Sequence, residues 1–279
     1  MKKYKFLDNF LSSLMSHFEK IRNKTRARML KKLTSKTEFI PFIQPIFNAS
    51  ATKVVGCEIL LRMKATYGYI SPMPYIAELE KSIYMNDITI ILLRTINEFY
   101  NENKGLFPER FYFTFNIVPN QLNSKKLIKE ILFLKETMKD NADVVLEIVE
   151  RSTLLMDDDT IDAIDELTHE GIHFAVDDFG SGSASLKHIE NMDFKMIKID
   201  RELTLCQGHM LFYPKVIHAI INLAKNLNLN VVAEGIENEE QMRLLSAIGV
   251  DAIQGYYLAK PMRMDDFRHL YLTGKNAPF

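Results

Sequence analysis

The stretch HFAVDDFGSGSASL, residues 173–186, opens as an apolar run and ends in two adjacent carboxylates, Asp177 and Asp178, before a loop of glycines and small residues. A short apolar run bounded by glycine reads as a buried strand. Seven more such runs occur: FIPFIQPIF (39–47), VVGCEILLRM (54–63), FYFTFNI (111–117), DVVLEIV (143–149), FKMIKID (194–200), NVVAEGI (230–236) and DAIQGYY (251–257). Helix-like segments separate nearly all of them, so the fold class is α/β and the expected architecture a closed (β/α)8 barrel of the TIM type. The connector NASATK after the first run is too short for the crossover that parallel neighbours need. The first two runs are therefore predicted to form an antiparallel hairpin. Between the second and third runs, Pro72 or Pro74 starts one helix and residues 87–100 form another.

With 279 residues, 47% hydrophobic and 25% charged, the chain can bury one large core. No apolar stretch approaches the roughly 18 to 20 residues of a membrane span, and Asp8 and Asn9 interrupt the N-terminal apolar patch, against a signal peptide. Two cysteines, Cys57 and Cys206, cannot make a disulfide framework, which suits a cytoplasmic setting. Charge is unevenly spread: residues 1–36 hold eight lysines and three arginines against Asp8 and Glu19, a net +9, leaving −10 for residues 37–279. Phe6, Leu7, Phe10, Leu11, Leu14, Phe18 and Ile21 follow helical spacing, so residues 1–36 read as a basic amphipathic helical segment preceding a barrel over 37–279. That segment suits a helix docked on the barrel, a tail, or a peripheral contact with anionic lipid at the inner membrane. Nucleic acid is disfavoured, because the segment is too short for a helix-turn-helix and lacks interleaved aromatics.

Each run carries polar side chains where a barrel core wants Val or Ile: Gln44, Glu58 with Arg62, Asn116, Glu147, Asp177 with Asp178, Lys198, Glu234 and Gln254. Barrel active sites sit at the C-terminal face of the strands, where these residues would converge. Five carboxylates in one bowl are costly without cations. Oxygen ligands, including the Asn116 carbonyl, suit Mg²⁺ or Mn²⁺ rather than zinc. Adjacent strand residues point to opposite faces, so Asp177 and Asp178 can share one site only if the strand ends there. Splayed that way, they could serve two metals about 3.5 to 4 Å apart, as in phosphoryl displacement.

The motifs QPI, EILLR, NIVPNQL, LEIVERS, DDFGSGSASL, KID, AEGIE and QGYYLAKP, in this order over about residues 38–273, closely resemble the EAL-domain family of cyclic di-GMP phosphodiesterases. The resemblance implies hydrolysis of cyclic di-GMP to linear 5′-pGpG with two Mg²⁺ or Mn²⁺ ions, with Ca²⁺ inhibitory. It implies that Glu58, Asn116, Glu147 and Asp177 bind one metal and that Asp177 and Asp178 serve the second. Lys198 would contact the nucleophilic water, Glu234 would be the general base or a further metal-site carboxylate, and Gln254 would order the water network. Gln44 and Arg62 would contact the ligand, Arg62 at a phosphate, and Pro261 would lie near a guanine. Glu150 would anchor the glycine loop, Glu237 would be a further functional acid, and a homodimer is implied. The chain departs from the family in reading Glu-Ile-Leu for Glu-Ala-Leu, with Met63 for the usual Trp, Val118 for a common Ser, Ser183 for Tyr and Ala184 for Ser.

The competing reading is a catalytically silent member that binds cyclic di-GMP or a protein as a regulator. A Mg²⁺-dependent lyase using Lys198 as base is permitted by the fold alone. A histidine-based metal phosphodiesterase is set aside, since the seven histidines include no adjacent His-Asp pair in the sequence. MDDDT (156–160) precedes a helical pattern and reads as an N-cap rather than a metal cluster. Cys57 reads as a small buried residue, His173 and His188 as packing or surface groups, and the stripe Ile88, Leu92, Ile96, Phe99 as core.

Overall fold

The computed structural model describes residues 37–139, 141–153, 156–181, 189 and 192–274. The expected helix within 1–36, Ser183, Ala184 and His188 lie outside the described residues. In chain order the strands are β1 (Phe39–Asn48), β2 (Val54–Lys64), β3 (Tyr69–Ile70), β4 (Phe111–Asn116), β5 (Ala142–Val149), β6 (His173–Phe179), β7 (Phe194–Ile199), β8 (Cys206–Gln207), β9 (Met210–Leu211), β10 (Asn230–Ala233) and β11 (Ala252–Ile253).

Eight of them close a ring in the order β1-β11-β10-β7-β6-β5-β4-β2, with β1 also paired to β2. From β2 through β11 neighbouring pairs run parallel. β1 is antiparallel to β11 and therefore to β2. The hairpin expected from the short connector is present and is held by Asn48, whose Oδ1 accepts the N–H groups of Thr52 (2.9 Å) and Lys53 (3.0 Å). A side chain that satisfies two turn donors lets the chain reverse within six residues.

The last two barrel strands are shorter than their apolar runs suggest. β10 stops at Ala233 and β11 at Ile253. The chain turns at Gly235, which has a φ of 69°, and Gly255 lies so close to Ile236 that a Cβ there would fall 2.1 Å from the Ile236 nitrogen. Backbone crossing at that distance is incompatible with two regular, side-chain-bearing strands.

Inside the ring, Ile46, Val145, Ala175, Met196, Val232 and Ala252, one from each of six strands, form a single packed layer joined by Tyr112. Gly56 on β2 leaves room for the Tyr112 ring, which a Cβ at position 56 would meet at 2.5 Å. Outside the ring, the helix Met85–Asn103 buries Ile88, Leu92, Ile96 and Phe99, the stripe read as core. The helix Asp158–His169 starts at Asp157, whose carboxylate accepts the Thr160 N–H at 3.0 Å. The Thr160 hydroxyl, which donates to the same Oδ1, and then this backbone bond hold the Asp157 carboxyl below its usual range. Asp157→Ala is expected to lower the melting temperature by about 2 to 4 °C while leaving the site intact, as read by thermal unfolding.

Residues 37–39 and 62–85 belong to a second compact unit. Within it Met63 pairs with Ile70 and Lys64 with Tyr69, Lys64 Nζ meets Glu38 Oε2 at 2.6 Å, and Pro72 caps a turn at Met73–Tyr75 that leads into the helix Ile76–Glu80. No helix among the described residues is long and apolar enough to cross a membrane.

Candidate active site

Strand periodicity builds the site directly on the core layer. Side chains two apart on a strand share a face, so each inward core residue carries a polar residue one step higher. Val145 leads to Glu147, Ala175 to Asp177, Met196 to Lys198, Val232 to Glu234, Ala252 to Gln254 and Gly56 to Glu58. On the reversed β1 the step runs backwards, from Ile46 to Gln44.

Lys198 stands at the centre with 1% of its surface exposed. Its Nζ lies 2.6 Å from Glu234 Oε1, 2.9 Å from Glu147 Oε2, 3.3 Å from Asp177 Oδ1 and 3.5 Å from Glu58 Oε2. Glu58 is further held by Asn116 Nδ2 at 2.8 Å and Gln254 Nε2 at 2.7 Å, so β4, β7 and the residue just past β11 orient one carboxylate. Asp178 has a φ of 53°, a left-handed conformation at the irregularity where β6 leaves its register with β7. That turn brings ligand atoms of Asp177, Asp178 and Glu234 within 4.8 Å of one another. The strand runs on to Phe179, so it is this left-handed irregularity within β6, and not the end of the strand, that lets the two neighbouring carboxylates share one site.

Electrostatics follow from burial. Burial opposes ionisation of Glu58, but Lys198 and the bonds from Gln254 and Asn116 prevail and its carboxyl is lowered. Glu147 is pushed well above the usual range, first by burial and then by Glu58, Asp177 and Glu234, against the pull of Lys198. Glu234 rises to about 8, with burial outweighing the opposing attraction of Lys198. Lys198 itself is raised well above its ordinary value: burial opposes its charge, and the surrounding carboxylates overcome that.

Five carboxylates (Glu58, Glu147, Asp177, Asp178, Glu234) against one ammonium leave four negative charges if all are ionised, which two divalent cations would neutralise. Glu147 Oε1 is buried and, among the described residues, meets no hydrogen-bond donor. An all-oxygen set with an acceptor left over fits a hard divalent cation.

The remaining expected residues fall as follows. Glu150 is buried and its Oε2 accepts the Gly180 N–H at 2.9 Å, tying the start of the glycine loop to the end of β5. Gln44, Glu58, Glu234, Glu237 and Gln254 line a cavity of about 250 Å³. Gln44 Nε2 also donates to the Ala259 carbonyl at 3.1 Å, and Ile43 bridges Met262, so the Ala259–Met262 segment carrying Pro261 is stitched to β1. Pro261 is half-buried and does not line that cavity. Arg62 lies on β2 in the second unit. Arg201 and Tyr256 also line the cavity and were missed. Arg201 directly follows KID and Tyr256 lies inside QGYYLAKP, and that position was the available signal. Cys57 is buried and its thiol is pushed well up, first by burial and then by Glu58, which makes it inert.

Comparison with known proteins agrees with this architecture. A sequence profile of the EAL domain matches residues 27–261. The chain is 29% identical over 254 residues to the probable cyclic di-GMP phosphodiesterase PdeG of Escherichia coli, covering 89% of this chain and 50% of that protein. It is 33% identical over 245 residues to the probable cyclic di-GMP phosphodiesterase PdeD of the same organism, covering 86% and 44% respectively. The chain thus spans about half the length of these curated relatives. Among solved structures, the EAL enzyme Bd1971 in its cAMP- and cyclic-di-GMP-bound form superposes with a TM-score of 0.73 at 28% identity, covering 90% of this chain and 69% of that one. An eight-stranded ring with a reversed first strand, acids gathered at its mouth, and a profile match across most of the length place this chain in the EAL domain family.

Proposed function

We propose that this chain hydrolyses cyclic di-GMP to linear 5′-pGpG. The observation that carries the reading is Lys198, sealed among Glu58, Glu147, Asp177 and Glu234 in a chain whose relatives are named as phosphodiesterases of that nucleotide. Glu58, Asn116, Glu147 and Asp177 would hold one Mg²⁺ or Mn²⁺, and Asp177 with Asp178 a second. Bound ions supply Lewis acidity and neutralising charge at the scissile phosphodiester.

The chain's own groups perform the rest. Lys198 orients the attacking water, and Gln254, whose Oε1 is buried without a donor among the described residues, offers that water network an acceptor. Glu234, 2.6 Å from Lys198 Nζ, accepts the water's proton. Attack in line at phosphorus forms one P–O bond and breaks the bond to the 3′ oxygen, which takes a proton from solvent. The product carries a 5′-phosphate and a free 3′-hydroxyl. Arg62 contacts a phosphate, Gln44 the ligand and Pro261 a guanine, with Glu237 a further acid of the cavity and Glu150 the anchor of the loop after Asp178. The net charge of +9 in residues 1–36 suits contact with an anionic membrane surface from the cytoplasm, and two chains form a homodimer.

Incubation of the purified chain with cyclic di-GMP and Mg²⁺ or Mn²⁺ is expected to yield pGpG, and replacement by Ca²⁺ to suppress turnover while preserving binding. Tight binding in Ca²⁺ with no pGpG in Mg²⁺ or Mn²⁺ would instead make the protein a cyclic di-GMP receptor.

A further inference from the structure

Glu234 and Glu237 reach the cavity from residues 234–237, a segment that belongs to neither β10 nor the following helix Glu239–Ile248. The Glu234 N–H donates to the Ile199 carbonyl at 3.2 Å and the Ile236 N–H to the Gln254 carbonyl at 3.1 Å, which leaves the Gly235 carbonyl and the Glu237 N–H to other partners, and Glu234 Oε1 sits 2.6 Å from Lys198 Nζ. The segment is gripped from behind by Gln241, which is 2% exposed. Gln241 Nε2 donates to the Gly235 carbonyl at 2.9 Å and to Thr204 Oγ1 at 3.2 Å, while its Oε1 accepts the Glu237 N–H at 2.9 Å. Thr204 is fully buried, and its Oγ1 lies 2.7 Å from the Glu234 carbonyl and 2.9 Å from the Arg201 carbonyl, one proton serving both.

One buried amide thus spends both its donor and its acceptor functions on the backbone that carries Glu234 and Glu237. Starting the helix does not require it. Asn238 already caps that helix, its Oδ1 accepting the Gln241 backbone N–H at 2.8 Å. A buried amide costs free energy unless its bonds are made, so an apolar residue of the same volume would fill the space at no such cost. What an apolar residue cannot do is hold a carbonyl and an N–H of an irregular segment in place and bond the Thr204 hydroxyl that meets a second carbonyl.

We propose that Gln241, working through Thr204, is the positioning residue that holds the Glu234–Glu237 segment so that Glu234 faces the Lys198 acid cluster. The proposal rests on reading that cluster as a cation-binding hydrolytic site. Outer residues that orient metal-binding carboxylates typically cost ten- to a hundredfold in metal affinity or activity when removed.

The test uses the full chain and four variants: Gln241→Met, which keeps volume and loses the amide, Thr204→Val, which loses only the hydroxyl, Thr204→Ser, which restores it, and Asp157→Ala as a remote control. Mn²⁺ binding is followed by electron paramagnetic resonance, turnover by pGpG release, and folding by thermal unfolding and circular dichroism. Gln241→Met and Thr204→Val are expected to weaken Mn²⁺ binding and to lower kcat, each by about tenfold. KM should change little, and Thr204→Ser and Asp157→Ala should match the parent in Mn²⁺ affinity and kcat. Should Gln241→Met fail to fold, the Val and Ser pair at position 204 decides. Parental Mn²⁺ affinity and kcat in folded Thr204→Val, or equal losses in Thr204→Ser, overturn the positioning role. A parent that binds Mn²⁺, yields no pGpG and loses Mn²⁺ affinity on Gln241→Met upholds the brace while ending the phosphodiesterase reading. A parent that binds no Mn²⁺ ends both.

Discussion

Lys198→Met is expected to reduce pGpG formation by about 10³-fold and, in EDTA, to destabilise the barrel by about 3 to 5 kcal/mol. Both effects arise from one geometry. Among the described residues Nζ is the only ammonium group set between these four carboxylates, at 2.6 to 3.5 Å, and it is almost wholly buried. Its removal leaves those charges facing one another with no compensation except protonation or a cation. The melting deficit should therefore shrink on adding Mn²⁺, and also at low pH, where the carboxylates discharge, whereas turnover stays lost because the water has no orienting group. Thermal unfolding in EDTA, in Mn²⁺ and across pH reads the first effect and product release the second. Unchanged melting in EDTA would mean that the lysine is not what balances the acid cluster.

Gly255→Ala is expected to cost about 3 kcal/mol, or about 6 to 12 °C in melting temperature. A Cβ at 255 falls 2.1 Å from the Ile236 nitrogen and 2.2 Å from its oxygen, contacts made with backbone rather than with the end of a mobile side chain. Ile236 has little room to withdraw, since its N–H donates to the Gln254 carbonyl at 3.1 Å and its carbonyl accepts the Tyr257 N–H at 2.9 Å. Any relief must move residues 234–237, so kcat should fall with stability. Gly105→Ala is the control, because a Cβ there meets nothing within 4 Å. A Gly255→Ala protein that melts like the parent would show that this crossing yields cheaply.

Much of the site could be read along the chain because strand alternation is local. Within LEIV or FKMIKI, a charged residue flanked by branched apolar ones must face the barrel interior if its neighbours face the helices, and Glu147 and Lys198 do so. The reversed first strand followed from connector length alone, and the capping role of Asp157 from its place before a helical pattern. Gln241 was not legible in the same way. It lies in the strongly polar stretch NEEQMR, which reads as a solvated helix start, and its burial depends on Thr204, 37 residues away, and on the loop that folds over it. Arg201 and Tyr256 escaped for a related reason, since which neighbour of a motif turns into a cavity depends on how the loops leave the strands.

Period-two patterning and connector lengths were enough to specify the number of barrel strands, though not the short β3, β8 and β9, the direction of the first, and which residues point inward, because those properties depend on neighbours within a few residues. Closure of the ring decided the rest: that Lys198 meets four carboxylates at once, that Asp178 turns into the left-handed region to join Asp177 and Glu234, and that Gly255 crosses Ile236 in backbone contact. These are distances between segments tens to more than a hundred residues apart, set by strand register and by the loops beyond it, and no local pattern encodes them.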